Sequence, residues 1–324
     1  MILITGAAGF IGSHLCEKLL INGNEIIGLD NLCDFYDIKL KKYNLKLIDE
    51  NSKNNNFIFI KNDILNVALL ESIFKKYEIS CIIHLAAMAG VRPSIENPVL
   101  YQNVNVQGTQ NILECCQKFG VNKLIFASSS SIYGNNKKIP FSEEDKVDNP
   151  ISPYAATKKA GELFCHTYHY LYNIDITCLR FFTVYGPRQR PDLAIHKFAK
   201  LISEGEKIPF YGNGTTARDY TYINDITDGV EKCLSWLQSN ENIFEIFNLG
   251  NNKPIELKKL VSLISKYFDT EIEIEKFPVP KGDVMLTYAD ITKANKYFDY
   301  NPKTDINEGL ENFFDWFDPY YNNY

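Results

Sequence analysis

The sequence predicts an α/β fold, in which a doubly wound parallel sheet is followed by a smaller C-terminal α/β lobe. Short apolar runs alternate with segments of helical periodicity through residues 1–180, which is the pattern of repeated βαβ units. The first unit also carries a glycine-rich turn between its strand and its helix. We therefore expect residues 1–180 to form the sheet domain, joined by later segments near 212–250, and residues 181–324 to form mainly the second lobe.

Length and composition fit this prediction. The chain has 324 residues, of which 45% are hydrophobic and 23% charged, as in a soluble globular protein. A formal net charge of −6 argues against general binding to nucleic acid or to an anionic membrane. No stretch is apolar and long enough to span a bilayer, and the first strand begins at Ile2, so we expect a cytoplasmic protein. The eight cysteines form no CxxC pair and are predicted to be free, mostly buried thiols.

The first strand, predicted at residues 1–5, leads directly into Gly6-Ala7-Ala8-Gly9-Phe10-Ile11-Gly12 and then a helix. The second strand, at residues 25–30, ends on Asp30, 18 residues beyond Gly12. Backbone N–H groups and the dipole at such a helix N-terminus favour a pyrophosphate, and the acid accepts hydrogen bonds from a ribose. This context predicts a Rossmann dinucleotide site. The carboxylate would repel a 2′-phosphate, which favours NAD over NADP.

Further strands are predicted at residues 57–60, 81–87, 123–127 and 174–180. The second of these runs, 81–87, ends in a turn with Leu85, Ala86 and Ala87, where the small alanine side chains let the backbone approach a cofactor. His84 stands in the same apolar run without a partner at metal-ligand spacing, and we interpret it as a packed structural histidine.

A helix predicted from Tyr154 to about Leu171 carries Tyr154 and Lys158 four residues apart, hence on one face. A nearby ammonium favours a phenolate, so we expect Lys158 to lower the pKa of Tyr154 from its usual value near 10. Tyr154 would then serve as a general base near neutral pH. Without a cofactor and a substrate beside it, the same pair would be an ordinary solvated helix face.

The GxxGxxG turn and the Tyr154–Lys158 pair resemble the extended short-chain dehydrogenase/reductase family, in particular its nucleotide-sugar epimerases. The resemblance covers nearly the whole chain. It implies a bound NAD and places these residues against it: Gly6, Gly9, Phe10, Ile11, Gly12, Asp30, Asn31, Asp63, Ile64, Leu85, Ala86, Ala87, Asn105, Tyr154, Lys158, Phe181 and Phe182.

The resemblance also completes a catalytic triad. In the family the catalytic hydroxyl lies four residues before the tyrosine of a Tyr-Gly pair, here Tyr133-Gly134, which points to Ser129. Related 4,6-dehydratases follow that hydroxyl with an Asp-Glu pair, and UDP-glucuronate decarboxylases have a glutamate at the second of these positions. Ser130 and Ser131 stand there in this chain and cannot act as carboxylates. The implied chemistry is oxidation at C4 followed by re-reduction.

The run from Arg180 to Pro187 and the block from His84 to Pro98 closely resemble UDP-glucuronate 4-epimerases. In that subfamily an arginine matching Arg190 holds the substrate carboxylate, and a guanidinium does pair with a carboxylate through two parallel hydrogen bonds. The resemblance implies further UDP-sugar contacts, with Tyr211 stacked on uracil and Arg218 at the diphosphate. The whole predicted substrate set is Ser130, Thr183, Arg190, Tyr211, Arg218 and Asp283.

Two positions depart from the hexose epimerases of the family. Pro280 stands two residues before Gly282, where those enzymes have an arginine, so one diphosphate contact is missing or supplied elsewhere. Thr287 replaces a bulky residue that narrows the sugar pocket of UDP-galactose-specific relatives, which leaves room for a larger substituent. The aromatic C-terminal tail from Tyr320 to Tyr324 is predicted to be surface or frayed, without a function.

The resemblance thus implies NAD-dependent C4 epimerisation of UDP-glucuronate to UDP-galacturonate through a 4-keto intermediate. It also implies a homodimer formed through the helices after Asn97 and after Tyr154. The alternative is a UDP-glucose or UDP-N-acetylglucosamine 4-epimerase. An alternative of another class is a catalytically silent NAD-binding regulatory protein, which the intact triad disfavours.

Overall fold

The computed structural model describes residues 1–52, 56–268, 272–278, 280 and 282–323. The strands are β1 (Ile2–Thr5), β2 (Ile26–Asp30), β3 (Phe57–Lys61), β4 (Cys81–His84), β5 (Lys123–Ser129), β6 (Asp175–Phe181), β7 (Thr183–Tyr185), β8 (Ile208–Tyr211), β9 (Ala217–Tyr222), β10 (Phe244–Leu249), β11 (Pro254–Glu256) and β12 (Ile274–Phe277). The helices are α1 (Phe10–Ile21), α2 (Ile38–Asn51), α3 (Val67–Lys76), α4 (Val91–Glu96), α5 (Pro98–Tyr101), α6 (Gly108–Phe119), α7 (Pro153–Tyr172), α8 (Ala194–Ser203), α9 (Ile223–Gln238), α10 (Leu257–Phe268), α11 (Thr292–Phe298) and α12 (Ile306–Asn323). A π-helical stretch, Gln102–Gln107, joins α5 to α6.

The apolar runs predicted as strands form one parallel sheet of seven strands, in the order β10–β6–β5–β4–β1–β2–β3. The chain proceeds outward from β1 through β2 to β3 and then returns to place β4 on the other side of β1. In such sheets a crevice opens at the carboxyl ends of the strands where the order reverses. The predicted doubly wound fold is confirmed, and it puts a binding crevice between β1 and β4.

Alternate strand residues enter different halves of the hydrophobic core. Ile2 and Ile4 of β1 pack with residues of α1 and α9, whereas Leu3 packs with residues of α3, α6 and α7. Successive strand side chains point to opposite faces of a sheet, so a strand that is apolar at every position needs helices on both faces. The continuous apolar runs of the sequence therefore follow from a sheet covered on both sides.

A buried carboxylate joins the second lobe to the main sheet. The lobe contains the three-stranded sheet β11–β9–β7 and the two-stranded sheet β12–β8. Asp219 of β9 accepts hydrogen bonds from the backbone N–H groups of Asn251, Asn252 and Ala289. Asn251 and Asn252 lie just beyond the end of β10. Because backbone donors satisfy the buried carboxylate, its position between the two sheets is fixed.

The C-terminal tail was predicted to be surface or frayed, but it is helical. Helix α12 continues to Asn323, and the Tyr321 hydroxyl lies 2.7 Å from Nε2 of the buried His196. Phe313 and Phe317 precede Tyr321 at helical spacing and contact the same imidazole. The prediction was wrong because these positions, four residues apart, form one aromatic face that packs on α8. Tyr324 lies outside the described residues.

Two further predictions on single residue types are confirmed. His84 is buried, with Nδ1 2.7 Å from the Thr5 hydroxyl and Nε2 3.1 Å from the Thr109 hydroxyl, and burial lowers its pKa to about 3. It is therefore a neutral structural residue. All eight cysteines are free, and all but Cys33 are buried. None of the helices in the described part of the chain has the length and apolar character of a membrane span.

Candidate active site

The crevice between β1 and β4 is a cavity of about 450 Å³. It runs past the carboxyl ends of β1, β2, β4, β5 and β6, and helix α7 and the segment after Gly282 also line it. Nearly all of the residues predicted to bind a cofactor or a substrate lie on its wall. These are Gly6, Gly9, Phe10, Ile11, Gly12, Asp30, Asn31, Asp63, Ile64, Leu85, Ala86, Ala87, Ser129, Ser130, Tyr154, Lys158, Phe181, Phe182, Thr183, Arg190, Arg218 and Asp283.

The glycine-rich turn forms a close-packed cradle at one end of the cavity. Gly6 has φ +73°, and a Cβ atom there would lie 2.9 Å from the backbone nitrogen of Ala86. A Cβ atom on Gly12 would lie 2.1 Å from the Gly6 carbonyl oxygen. Gly9 caps α1 without any side chain that occupies the first backbone N–H groups. Those N–H groups face the cavity at the positive end of the helix dipole, an arrangement that fits a pyrophosphate.

The carboxylates of Asp30 and Asp63 are held by hydrogen bonds at the same end of the cavity. Asp30 accepts hydrogen bonds from the backbone N–H groups of Ala8, at 3.1 Å, and Leu32, at 2.8 Å. Asn31 donates its side-chain amide to Asp63 at 2.8 Å. Each carboxylate oxygen of Asp30 thus makes one hydrogen bond to the backbone and keeps a second lone pair, which can accept from the hydroxyls of a ribose.

The predicted triad comes together where β5 meets α7. Ser129 is the last residue of β5, its hydroxyl accepts from the Ser131 N–H at 3.2 Å, and its side chain acts to lower the pKa of Tyr154. Ser152 caps α7 by accepting from the Ala155 N–H at 3.1 Å, so the helix begins one residue before Tyr154. Lys158 donates to the Ala127 carbonyl oxygen at 2.7 Å. The helix cap and the strand end together set the positions of all three side chains.

The prediction that Lys158 lowers the pKa of Tyr154 below its usual value was wrong. Burial raises the pKa of Tyr154, and the contributions that oppose this come from the hydrogen bond of Ser129 and the charge of Arg190. Burial also lowers the pKa of Lys158 to about 8. The reason is that the pair lies in the protein interior, where desolvation disfavours the charged form of both groups. The sequence spacing alone could not reveal this burial.

A buried ion-pair network, which was not predicted from the sequence, lies next to the triad. Arg180 donates to both carboxylate oxygens of Glu162, each at 2.9 Å, and to the Tyr133 hydroxyl at 2.9 Å. Ser128, the neighbour of Ser129, donates to the same glutamate at 2.7 Å. Glu162 lies one turn beyond Lys158 on α7. The network therefore fixes α7 against the ends of β5 and β6.

The predicted carboxylate-binding arginine already holds a partner. Arg190 donates from Nε and Nη2 to the two carboxylate oxygens of Asp192, at 2.9 and 2.7 Å, and its guanidinium lies 5.4 Å from the centre of the Phe35 ring. Arg188, in the same loop, is buried and pairs with Glu17 of α1 at 2.5 Å. Both arginines are thus built into the loop that joins the second lobe to the dinucleotide end.

Two predicted residues are not on the cavity wall. The Asn105 side chain accepts from the Met88 N–H at 2.7 Å and donates to the Met88 carbonyl and to the Thr157 hydroxyl. It therefore ties the turn after β4 to α7. The Tyr211 ring lies under the Arg92 guanidinium, 4.4 Å from ring centre to the guanidinium carbon. Arg92 in turn donates to Asp283 at 2.7 Å.

Other wall residues were not assigned to the site from the sequence, although Met88 to Val91 lie in the block from His84 to Pro98 that carries part of the resemblance. They come mostly from the loop between β2 and α2 and from the turn after β4. Their side chains reach the cavity because of tertiary packing, as when Lys41 donates to the Cys33 carbonyl oxygen at 2.9 Å. The unpredicted residues include Cys33, Phe35, Tyr36, Lys41, Asn62, Met88, Ala89, Gly90, Val91, Ser152 and Leu193.

Comparison with known proteins shows relatives along the whole chain. Residues 3–313 match the family described as GDP-mannose 4,6 dehydratase. A UDP-glucuronate 4-epimerase of Thermodesulfobacterium geofontis is 46% identical over 315 residues, which span 97% of this chain and 95% of the relative. The crystal structure of UDP-glucuronic acid 4-epimerase from Bacillus cereus, in complex with UDP-glucuronic acid and NAD, matches with a TM-score of 0.91 at 36% identity and 99% coverage of both chains. UDP-glucose 4-epimerase of Thermotoga maritima, with UDP-glucose, matches with a TM-score of 0.87 at 32% identity and the same coverage.

Proposed function

Because the chain belongs to the GDP-mannose 4,6 dehydratase family of extended short-chain dehydrogenases/reductases, we propose that it is an NAD-dependent UDP-glucuronate 4-epimerase. It interconverts UDP-glucuronate and UDP-galacturonate through a 4-keto intermediate. The observation that carries the substrate assignment is a guanidinium, that of Arg190, on the wall of the same cavity as the Ser129–Tyr154 pair. The N–H groups of a guanidinium that Asp192 does not occupy suit a sugar with a carboxylate at C5 better than a neutral hexose.

The cavity fits NAD as the resident cofactor. The cradle of Gly6, Gly9 and Gly12 takes the pyrophosphate, and Asp30 accepts from the adenosine ribose. When bound, NAD accepts a hydride from C4 and returns it to the opposite face of the ring. Phe181 and Phe182 flank the end of the cavity where Tyr154 and Lys158 lie, which is the end for the nicotinamide.

The protein's own part in the reaction is to move one proton. Tyr154 takes the proton of the 4-hydroxyl as C4 is oxidised and gives it back when C4 is reduced. The Ser129 side chain acts to lower the pKa of Tyr154 and so favours the ionised form of the phenol. Lys158 lies on the same helix face and binds the cofactor ribose. No carboxylate stands at positions 130 and 131 to remove a second proton, so the reaction stops at C4.

The 4-keto form of a uronic acid is a β-keto acid, which loses CO₂ readily. An epimerase must therefore hold the carboxylate so that the bond to it stays out of line with the carbonyl π-orbital. We assign this task to Arg190 together with Ser130 and Ser131. The Ser131 hydroxyl is buried and has no hydrogen-bond partner among the described residues, so it is open to a ligand oxygen.

Purified protein is expected to convert UDP-glucuronate at least about tenfold more efficiently, in kcat/KM, than UDP-glucose or UDP-N-acetylglucosamine. The Arg190→Ala variant loses one charge-assisted contact, worth about 1.5–3 kcal/mol, so its kcat/KM for UDP-glucuronate should fall about ten- to a hundredfold. The discrimination between charged and neutral sugars should shrink accordingly. Product analysis by NMR, with each UDP-sugar supplied alone, measures both effects.

Two results would contradict this function. Preference for a neutral UDP-hexose would support the alternative function, that of a UDP-glucose or UDP-N-acetylglucosamine 4-epimerase. The chain is also similar to a UDP-glucose 4-epimerase. Accumulation of a UDP-4-keto-pentose as the main product would mean that the carboxylate is not held.

We further propose that the enzyme is a cytoplasmic homodimer. Helices α4, α5 and α7 pack together, and their outer surface exposes apolar side chains, with Val99 67%, Leu163 57% and Tyr170 78% accessible. Apolar residues clustered on the surface of adjacent helices are typical of a helix–helix interface between subunits.

The wild-type protein is therefore expected to have twice the 37.2 kDa mass of the chain in sedimentation or light scattering. Leu163→Glu should shift it to the monomer, because an unpaired charge would be buried in the interface. Ile21→Glu, which adds the same charge at an exposed apolar site of α1, is the matched control and should remain a dimer. A wild-type monomer at micromolar concentration would contradict the proposal.

A further inference from the structure

The Arg190 guanidinium is held on two sides, along one edge and over one face. Asp192 occupies the Nε–Nη2 edge with two parallel hydrogen bonds, and the Phe35 ring covers one face. The backbone of the loop is anchored nearby, because Arg188 is buried and paired with Glu17 of α1. Within the described residues Nη1 of Arg190 has no hydrogen-bond acceptor, although the side chain lines the cavity. The guanidinium therefore presents one edge in one orientation.

We propose that Asp192 is a positioning residue that locks the Arg190 guanidinium, so that the substrate carboxylate meets the Nη1 edge in a fixed orientation. Asp192 itself is not on the cavity wall and is exposed. Its task is thus to orient Arg190 and not to compete with the ligand. The inference rests on the proposed function, since it assigns a role in carboxylate recognition.

A fixed orientation matters because the competing reaction depends on an angle. In the 4-keto intermediate, loss of CO₂ breaks the C5–C6 bond and moves its electron pair towards the C4 carbonyl as an enolate, which then takes a proton at C5. The two electrons removed from C4 stay on the cofactor, and the product is a UDP-4-keto-pentose. The bond breaks fastest when it lies parallel to the carbonyl π-orbital. A carboxylate held rigidly away from that alignment survives until C4 is reduced.

Asp192 also compensates the charge of Arg190. Its neighbour Arg190 holds the pKa of the Asp192 carboxyl below its ordinary value, so the pair stays ionised and carries no net charge before substrate binds. The phenols of Tyr36, Tyr101 and Tyr154 also face Arg190, and its charge acts to lower the pKa of each. Without Asp192 the guanidinium would remain charged and still attract the substrate, but its orientation would no longer be defined.

The test is the Asp192→Asn variant, analysed with UDP-glucuronate and NAD. The charge of Arg190 persists, so KM should change less than about threefold, whereas kcat for epimerisation should fall about tenfold because the clamp is loosened. The decarboxylated fraction of the product should rise several-fold. Arg190→Lys keeps the charge but lacks the planar guanidinium, so its decarboxylated fraction should be similar to that of Asp192→Asn. The double variant should be no worse than either single one, because both changes remove one interaction.

Glu204→Gln is the matched control. It also neutralises a carboxylate in an exposed ion pair, with Lys200, at the C-terminal end of α8, and its kcat and product ratio should equal those of the wild type. An Asp192→Asn variant with the kcat and product ratio of the wild type would overturn the inference alone. A wild-type enzyme that does not epimerise UDP-glucuronate would overturn the proposed function, and this inference with it.

Discussion

The Tyr154→Phe variant is expected to lose about a thousandfold in kcat while keeping its fold and its affinity for UDP-sugar. The change removes only the phenolic oxygen, which is the group that we propose takes the proton from the 4-hydroxyl. The ring itself stays, and with it the edge-on contact to the Tyr101 ring, 6.2 Å between centres. Formation of UDP-galacturonate, followed by NMR, gives the rate, and isothermal titration gives the affinity.

Tyr172→Phe is the control for this experiment. It makes the same substitution near the end of the same helix, where the tyrosine is exposed and packs on Tyr168. Its activity should equal that of the wild type. If Tyr154→Phe kept its activity within about threefold, the general base would have to be another group. If the wild type itself had no activity, the silent NAD-binding class would become the better explanation.

Most of the sheet could be predicted from the sequence. The runs around β1 to β6 were placed to within a few residues, because a strand buried on both faces must be apolar at each position and a buried strand is short. The end of α12 was missed for a different reason. Tyr320 and Tyr321 look like a loose aromatic tail until their packing partners, Tyr43 and His196, are known, and both partners are distant in sequence.

The site was predictable where chemistry follows from a motif and unpredictable where it follows from packing. The glycine turn and the residues at strand ends lie on the cavity wall because chain direction and sheet order place them there. Asn105 was expected beside the cofactor, but its amide is fully engaged with Met88 and Thr157. Likewise the partner of Arg190 is only two residues away in sequence, yet nothing in the spacing says that the two side chains meet.

Arg180→Ala is expected to destabilise the protein by about 3–5 kcal/mol, the largest effect on stability that we predict. The substitution leaves the Glu162 carboxylate buried with no strong counter-ion, because Lys159 is 3.6 Å away and does not replace the two hydrogen bonds of the guanidinium. The free energy of unfolding, from urea denaturation at fixed protein concentration, measures the loss. Lys200→Met, which breaks an exposed ion pair, should have little effect.

The combined Arg180→Met and Glu162→Leu variant separates the effect of the ion-pair network on protein stability from its effect on the position of the triad. Replacing both charges by apolar groups removes the unpaired carboxylate, so most of the stability lost in Arg180→Ala should return. The hydroxyl of Ser128 then loses its acceptor and that of Tyr133 loses one of its two partners, the other being Asn248. Because Ser128 precedes Ser129 directly, we expect kcat to stay well below that of the wild type although the fold is restored. A double variant with full stability and full kcat would show that the network only holds the core together, and that the helix cap and strand end suffice to place the triad.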